Sequence, residues 1–481
     1  MRKTKIVCTL GPATESEEML KKLMLAGMNV ARFNFSHQTH EQHKQRLDFV
    51  RRIQKELGVP LTYLLDTKGP ELRLGLYKDN QKVTLKTGQE YTLTTRDIFG
   101  DENQVSISFK GLPADVKPGN HILIADGLVE LEVKSTTDTD IVCLVKNAGT
   151  LSNNKNVNVP DAHVSLPFIS EKDRADLIFG CENGMDAVAA SFTRSAEDVL
   201  EMRAILDSHG GSNIKIIPKI ENIYGVNNID EILKVADGVM VARGDMGVNI
   251  PIEEIPRIQK MIIRKANALG KISIVATQML DSMIQNPRPT RAEATDVANA
   301  IYDGTGATML SGETAAGAYP IEAVTTMARI AERTEADIDY KAAFNARPLE
   351  SDTDVTNAVA HAAVGTAHDT NAKAILTVTQ SGYTARFISK FRPACPIISC
   401  TPNEQVYRQL NLSSGVVPVL TKSASGADDM IETAVQSAID AGLVQKGELV
   451  VITGGIPLGV PGTTNFIKVH VVGNSTSFSK E

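Results

Sequence analysis

Two stretches, Ile214-Lys215-Ile216-Ile217-Pro218-Lys219-Ile220-Glu221-Asn222 and Val239-Met240-Val241-Ala242-Arg243-Gly244-Asp245, run apolar and β-branched for the length of a strand and then end in charged residues. That pattern suits a buried parallel strand whose polar end opens onto a site. Lys219 and Glu221 stand two apart and so face the same side of an extended chain. Asp245 closes the second stretch and brings another carboxylate to the same rim. Two carboxylates with no histidine or cysteine nearby form a hard, oxygen-rich site suited to Mg2+ or Mn2+, and a lysine beside them suits a phosphate. For one strand alone, a surface ion pair between Lys219 and Glu221 is an equally good reading. The same ending recurs down the chain, which favours a site.

Strand-like runs recur at residues 5–10, 30–35, 61–65, 186–192, 214–220, 238–242, 272–276 and 306–310, each followed by a helical pattern. Eight such units close a (β/α)8 TIM barrel, in which the site lies at the C-terminal ends of the strands. Polar residues fall at those ends: Arg32, Asn34, Ser36 and His37; Asp66, Thr67 and Lys68; Thr193 and Arg194; Lys219 and Glu221; Arg243 and Asp245; Thr277 and Gln278; Ser311 and Glu313. Amphipathic helices are expected over 16–26, 40–57, 196–209 and 255–269, and Gly27, Gly58, Gly210 and Gly270 follow them where a left-handed residue ends a helix.

After the third strand the helical rhythm stops for roughly a hundred residues, far beyond ordinary loop length, so 70–166 reads as an inserted domain. Its runs at 83–85, 91–94, 105–109, 129–133 and 141–145 alternate with period two and predict a small β-barrel, rooted beside the rim and placed to act as a lid. The barrel then comprises 1–69 and 167–346. A polar stretch at 347–353 opens a C-terminal open α/β domain, 347–481, with strands at 374–379, 396–399, 416–419, 448–453 and 466–472. Two loops there, 379–384 and 454–465, carry the hydroxyls and glycines that bind phosphate at a helix N-terminus. An ordinary N-cap is the alternative.

At 481 residues the chain needs two to four domains. A net charge of −7 with no basic block argues against nucleic acid and anionic membrane as partners. No run approaches membrane-spanning length, and the apolar stretch after Met1-Arg2-Lys3-Thr4-Lys5 is too short for a signal peptide. The five cysteines, Cys8, Cys143, Cys181, Cys395 and Cys400, form no CxxC pair, so the cytoplasm is the expected compartment. No GxxxxGK[ST] loop occurs, so a bound nucleotide must sit at the rim and lid.

The order of these stretches resembles pyruvate kinase along essentially the whole chain. The resemblance rests on Lys3-Thr4-Lys5-Ile6-Val7-Cys8-Thr9-Leu10-Gly11-Pro12, Leu65-Asp66-Thr67-Lys68-Gly69-Pro70-Glu71, Lys219-Ile220-Glu221-Asn222, residues 240–247, Ala276-Thr277-Gln278-Met279-Leu280, and 286–293 with Arg288-Pro289-Thr290-Arg291. It implies transfer of phosphoryl from phosphoenolpyruvate to ADP, giving pyruvate and ATP, with Mg2+ and K+, in a homotetramer under allosteric control.

The resemblance also assigns roles. Lys219, Thr277 and Arg32 would be catalytic, and Glu221 and Asp245 would hold the divalent ion. Asn34, Ser36, Asp66 and the Thr67 carbonyl would cage potassium. The Gly244 and Asp245 amides would take the substrate carboxylate, and Arg32, Asn34, His37, Arg73 and Lys155 would bind the nucleotide. Thr379, Ser381, Gly382 and Thr384 would receive a phosphorylated effector. Glu71 stands where potassium-independent members carry lysine. The chain departs from the family pattern at Phe33, Gln38, Ala125, Pro218 and Ala316, with Gln38 in place of a usual glycine.

Two other readings are a magnesium-dependent barrel that makes or breaks carbon bonds on an oxoacid enolate, and a catalytically silent sensor of a sugar phosphate. The first would not need Lys219, the potassium cage or ADP. The second would not need the catalytic rim.

Overall fold

A computed structural model describes residues 1–346, 354–424, 426–457 and 462–474. Eight parallel strands, β1 (Lys5–Thr9), β2 (Val30–Asn34), β3 (Thr62–Asp66), β4 (Ala187–Ala190), β5 (Lys215–Ile220), β6 (Gly238–Ala242), β7 (Ile272–Ala276) and β8 (Ala307–Leu310), close into a ring in that order. Side-chain alternation explains the closure. Val7 lies in the barrel interior with Leu64, Ala189, Ile217, Met240 and Met309. Its neighbours Ile6 and Cys8 point outward into the layer shared with the helices.

Capping sets where the helices begin. Thr39 with Gln42, Ser170 with Asp173, Ser195 with Asp198 and Thr290 with Glu293 each form a reciprocal capping box, worth about 1 kcal/mol apiece. Helices run over Glu17–Ala26, His40–Leu57, Ala196–Ser208 and Ile255–Ala268, close to the expected spans. Gly27, Gly58, Gly210 and Gly270 all take positive φ.

The insert holds a seven-stranded mixed sheet and a separate two-stranded ribbon pairing Gly149–Leu151 with Val83–Leu85. The two edges of the large sheet, Leu72–Arg73 and Gln104–Ser106, meet through Gly75 N to Ser106 O at 2.7 Å and Ser108 N to Arg73 O at 2.9 Å. The sheet therefore curls into the barrel form that the alternation suggested. The insert's strands His121–Ile124, Gly149–Leu151 and Asn156–Asn158, each three or four residues long, were not expected from the sequence. The C-terminal sheet has the order Val416–Leu420, Ile397–Thr401, Ala374–Val378, Leu449–Gly455, Thr464–Val471, with the last strand antiparallel. Residues 347–353, where the third pattern was expected to begin, lie outside the described residues. Among the described residues no helix is long and apolar enough to cross a membrane.

The C-terminal domain closes the barrel floor. Leu412 is fully buried among the interior side chains. Arg408 grips Asp186, at the foot of β4, with Nε 3.0 Å from both carboxylate oxygens. Lys5, at the foot of β1, donates to the Val416 carbonyl at 2.7 Å. Burial pushes the Lys5 ammonium from 10.5 down to about 7, with Arg2 adding to the fall and Glu335 opposing it. The unfolded chain keeps that proton to about 10.5 and the folded chain loses it near 7, so the buried charge costs stability below pH 7 and the cost fades as pH rises. The melting temperature of Lys5→Met minus that of the wild type should therefore fall between pH 6.5 and pH 10. A difference that stays constant over that range would show that Lys5 is not buried as a charge.

Candidate active site

The strand ends converge on Asp66, the last residue of β3, which is 1% exposed. Its Oδ2 accepts Arg32 Nε at 2.6 Å, and its Oδ1 accepts Lys219 Nζ and Ser191 Oγ, each at 3.2 Å. Arg32 Nη1 also donates to Thr9 Oγ1 at 2.8 Å. Lys219 Nζ donates to Ser191 Oγ at 2.7 Å and stands 3.1 Å from Glu221 Oε1. Burial works against the charge on both Asp66 and Lys219. The cations Arg32 and Lys219 outweigh it for Asp66, whose carboxyl is held below its ordinary range. Asp66 and Glu221 outweigh it for Lys219, whose ammonium is held above its own.

Glu221 is fully buried. Its Oε2 accepts the Phe192 amide at 2.5 Å, and Phe192 takes a φ of 57° to present that amide. Oε1 has the Lys219 ammonium 3.1 Å away as an ion-pair partner. Burial pushes the Glu221 carboxyl up to about 7, with Lys219 opposing the rise and Asp245 adding to it. Asp245 lies half-buried in the short helix Arg243–Asn249. Asn249 Nδ2 ties the two acids together, donating to the Glu221 carbonyl at 3.1 Å and the Asp245 carbonyl at 2.8 Å.

A divalent ion fits this pair. Among the described residues no group of three His, Cys, Asp or Glu could enclose a metal. Mg2+, however, is commonly held by one or two carboxylates and completed by water and substrate phosphate. The buried Oε1 of Glu221, whose one close cation is Lys219 at 3.1 Å among the described residues, is the oxygen such an ion would share.

The residues expected to cage potassium are also brought together. Asn34 pairs with Asp66 in the β2 to β3 register, and Phe35 N donates to the Asp66 carbonyl at 3.0 Å. The Thr67 carbonyl accepts Ser191 Oγ at 2.7 Å, and Asn34 Oδ1 accepts Ser36 N at 3.1 Å. All the side-chain and carbonyl groups offered are oxygens, which fits a hard monovalent cation.

At the end of β7, Thr277 and Gln278 take φ values of 72° and 51°, which a β-branched threonine adopts only under constraint. The constraint is visible. Arg243, itself paired with Asp296 at 2.7 Å, donates Nη2 to the Thr277 carbonyl at 2.8 Å. The Gly244 amide donates to Thr277 Oγ1 at 2.7 Å. That amide was expected to be open for a substrate carboxylate, and here the threonine hydroxyl takes it.

Arg73, Lys155 and Asp245 line one cleft of about 480 Å3 between the insert and the barrel. Arg73 is engaged by Glu71, with Nε and Nη2 at 2.9 and 2.7 Å from one carboxylate oxygen. His37 is exposed, and its carbonyl accepts His43 Nε2 at 2.9 Å. Gln38 and Ala125, two departures from the family pattern, take φ values of 70° and 54°; Gln38 shows why glycine is usual there. Ser191 and Asn249 were not expected as parts of the site, and Arg243 was expected at the rim but without a role. Neither Ser191 nor Asn249 is charged, and only Ser191's place two residues before Thr193 hinted at a role.

In the C-terminal domain the two polar loops meet. Thr384 Oγ1 lies 2.7 Å from Thr464 Oγ1, and Thr379 Oγ1 accepts the Gly382 amide at 2.9 Å, with Gly382 at a φ of 77°. Leu458, Gly459 and Pro461 of the second loop lie outside the described residues.

A family model described as pyruvate kinase, barrel domain, matches residues 1–324, and one described as pyruvate kinase, alpha/beta domain, matches residues 357–470. A pyruvate kinase of Sporosarcina psychrophila is 52% identical over 476 residues, covering 98% of this chain and 81% of that protein. One of Clostridium acetobutylicum is 51% identical over 473 residues, covering 98% and 100%. A crystal structure of a pyruvate kinase from Cryptosporidium parvum superposes with a TM-score of 0.93 at 41% identity, covering 98% of this chain and 96% of that one.

A preorganised ammonium of the kind Lys219 supplies is worth at least about 3 kcal/mol to a transition state that gathers negative charge. Lys219→Met should therefore lose about a hundredfold or more in turnover while its circular dichroism spectrum stays that of the wild type. More than a tenth of wild-type turnover would contradict the role.

Proposed function

The chain belongs to the pyruvate kinase family, and on that premise we propose that its rim moves phosphoryl from phosphoenolpyruvate to ADP with Mg2+ (or Mn2+) and K+ bound. The observation that carries this reading is one lysine, Lys219, held between the buried carboxylates of Asp66 and Glu221. Phosphoryl transfer asks for positioning and concentrated positive charge more than for covalent chemistry. Neither the oxoacid-lyase reading nor the silent-sensor reading requires that lysine.

Glu221 and Asp245 would hold the divalent ion, which when bound supplies charge to phosphoryl and carboxylate oxygens. Lys219 and Arg32 offset charge on the phosphoryl group as the ester P–O bond breaks and a β-phosphate oxygen of ADP takes the phosphorus. The enolate left behind needs a proton at its methylene carbon to become pyruvate, and Thr277 is the hydroxyl assigned to help deliver it. Gly244 and Asp245 amides receive the substrate carboxylate, which requires the Thr277 hydroxyl to yield the Gly244 amide. Arg32, Asn34, His37, Arg73 and Lys155 serve the nucleotide, and Asn34, Ser36, Asp66 and Thr67 hold K+. The insert, 70–166, acts as the lid over a barrel of 1–69 and 167–346, with 347–481 as the regulatory domain. The enzyme works as a cytoplasmic homotetramer.

The purified protein should form pyruvate and ATP from phosphoenolpyruvate and ADP in Mg2+. The rate should rise markedly when tetramethylammonium is replaced by K+, and Glu71→Lys should blunt that rise. Equal rates in the two salts would remove the potassium cage, and no product at all would remove the activity.

The proposed effector site rests on the contact between Thr384 and Thr464, which brings the two loops together. Ser381 Oγ makes no hydrogen bond among the described residues, and Lys422 lines a small cleft with Gln380 beside the same loop. A phosphorylated metabolite with a single phosphate, such as a pentose or hexose monophosphate or AMP, fits better than a bisphosphate. Its tenfold preference for the active state would be worth about 1.4 kcal/mol. Phosphoenolpyruvate saturation should shift to lower concentration with such a compound in the wild type and not in Thr384→Ala. A shift produced by fructose 1,6-bisphosphate alone, or a normal response in Thr384→Ala, would contradict it.

A further inference from the structure

Behind the loop that follows β2 lies a side-chain cluster that takes no part in the chemistry described so far. Lys172 Nζ donates to the Phe35 carbonyl at 2.7 Å and to Asp176 Oδ2 at 2.7 Å. Asp176 is fully buried, and its other oxygen lies 2.7 Å from His40 Nε2. Lys172 and Asp176 stand one turn apart on helix Glu171–Glu182, and His40 opens helix His40–Leu57. One carboxylate thus ties together the two helices that flank the loop. The Phe35 ring is held as well, stacked on His43 with centroids 4.0 Å apart.

Phe35 sits between Asn34 and Ser36, and its two peptide groups are fixed from opposite sides. Its amide donates to the Asp66 carbonyl and its carbonyl accepts Lys172. We propose that Lys172 and Asp176 are positioning residues for the monovalent cation, setting the spacing of the Asn34 and Ser36 oxygens against Asp66 and Thr67. The inference rests on the reading that those four residues hold K+.

Two physical demands explain why a lysine and an aspartate do this together. A weakly bound monovalent ion is selected by oxygens held at fixed spacing, so the peptide carrying Asn34 to Ser36 must not rock. A bare ammonium at that distance would also repel the ion, and Asp176 cancels its charge. The pair fixes the Phe35 carbonyl without adding net charge beside the cage. Lys172 is half-exposed, with its side chain 44% accessible, so its replacement leaves the core intact.

The test measures the rise in melting temperature with K+ at constant ionic strength, balanced with tetramethylammonium, together with the ratio of turnover in K+ to that in Na+. Lys172→Met should raise the half-saturating K+ concentration about tenfold, the scale found when a partner that orients a metal ligand is lost. It should narrow the preference for K+ over Na+ and leave the phosphoenolpyruvate KM at saturating K+ within about twofold of the wild type. Lys172→Arg, which keeps the donor and the charge, should recover most of the K+ response, and Asp176→Asn should weaken K+ binding as Lys172→Met does. A Lys172→Met curve that superimposes on a K+-responsive wild type overturns the inference alone. A wild type that responds to no monovalent cation overturns the cation reading and the inference with it. Should Lys172→Met fail to fold, Lys172→Gln is read by the same criteria.

Discussion

A carboxylate with almost no water around it, Asp66, is the constraint on which the site depends. An isolated buried charge costs several kcal/mol, so Asp66 is tolerable only with cations and donors on both oxygens. Arg32 from β2, Ser191 from the end of β4 and Lys219 from β5 supply them. Their demand fixes the ends of three other strands relative to β3, and the barrel provides the rigid spacing that lets it be met. Removing Asp66 would leave Arg32 and Lys219 in the same dry environment with too little negative charge. The same arrangement keeps Lys219 charged and sets its ammonium 3.1 Å from the buried Glu221 Oε1.

The barrel floor is sealed from a different part of the chain, and the strands it grips are the ones that carry the site. Arg408 holds Asp186 at the start of β4, whose other end leads into Ser191 and Phe192. Burial pushes the Asp186 carboxyl up to about 6 despite Arg408, so this pair is retained at some cost in desolvation. Lys5 grips the C-terminal domain from the foot of β1, whose top carries Thr9 against Arg32. The C-terminal domain thus holds strand feet whose tops carry the charged network, with only four or five residues between the two ends.

Much of this was legible in the sequence, for a reason particular strands make plain. A buried parallel strand must be apolar on both faces, so the point where β5 turns from Ile217 to Lys219 and Glu221 can only be a mouth or a boundary. Repetition over the strand ends decided between them. The closed insert was legible through long alternating strands such as Val129–Thr136 and not through the three-residue pieces that complete it. What sequence could not carry was the set of contacts made by ordinary polar residues. Ser191 and Asn249 look like any loop or helix residue until the fold sets them beside Lys219 and Asp245, and Arg243, legible at a strand end, shows its grip on Thr277 only in the fold. The occupation of the Gly244 amide by Thr277 was invisible for the same reason, since it depends on a left-handed threonine that no propensity favours.

The central claim is that Glu221 and Asp245 together hold a divalent ion beside a charged Lys219. Anomalous diffraction from crystals soaked in Mn2+ with phosphoenolpyruvate tests it most directly. One strong peak is expected within coordination distance of Glu221 Oε1 and an Asp245 carboxylate oxygen, with Lys219 Nζ turned to the phosphoryl group. A peak elsewhere on the rim, or Lys219 still pointing only at Asp66 and Glu221 with substrate bound, would contradict it.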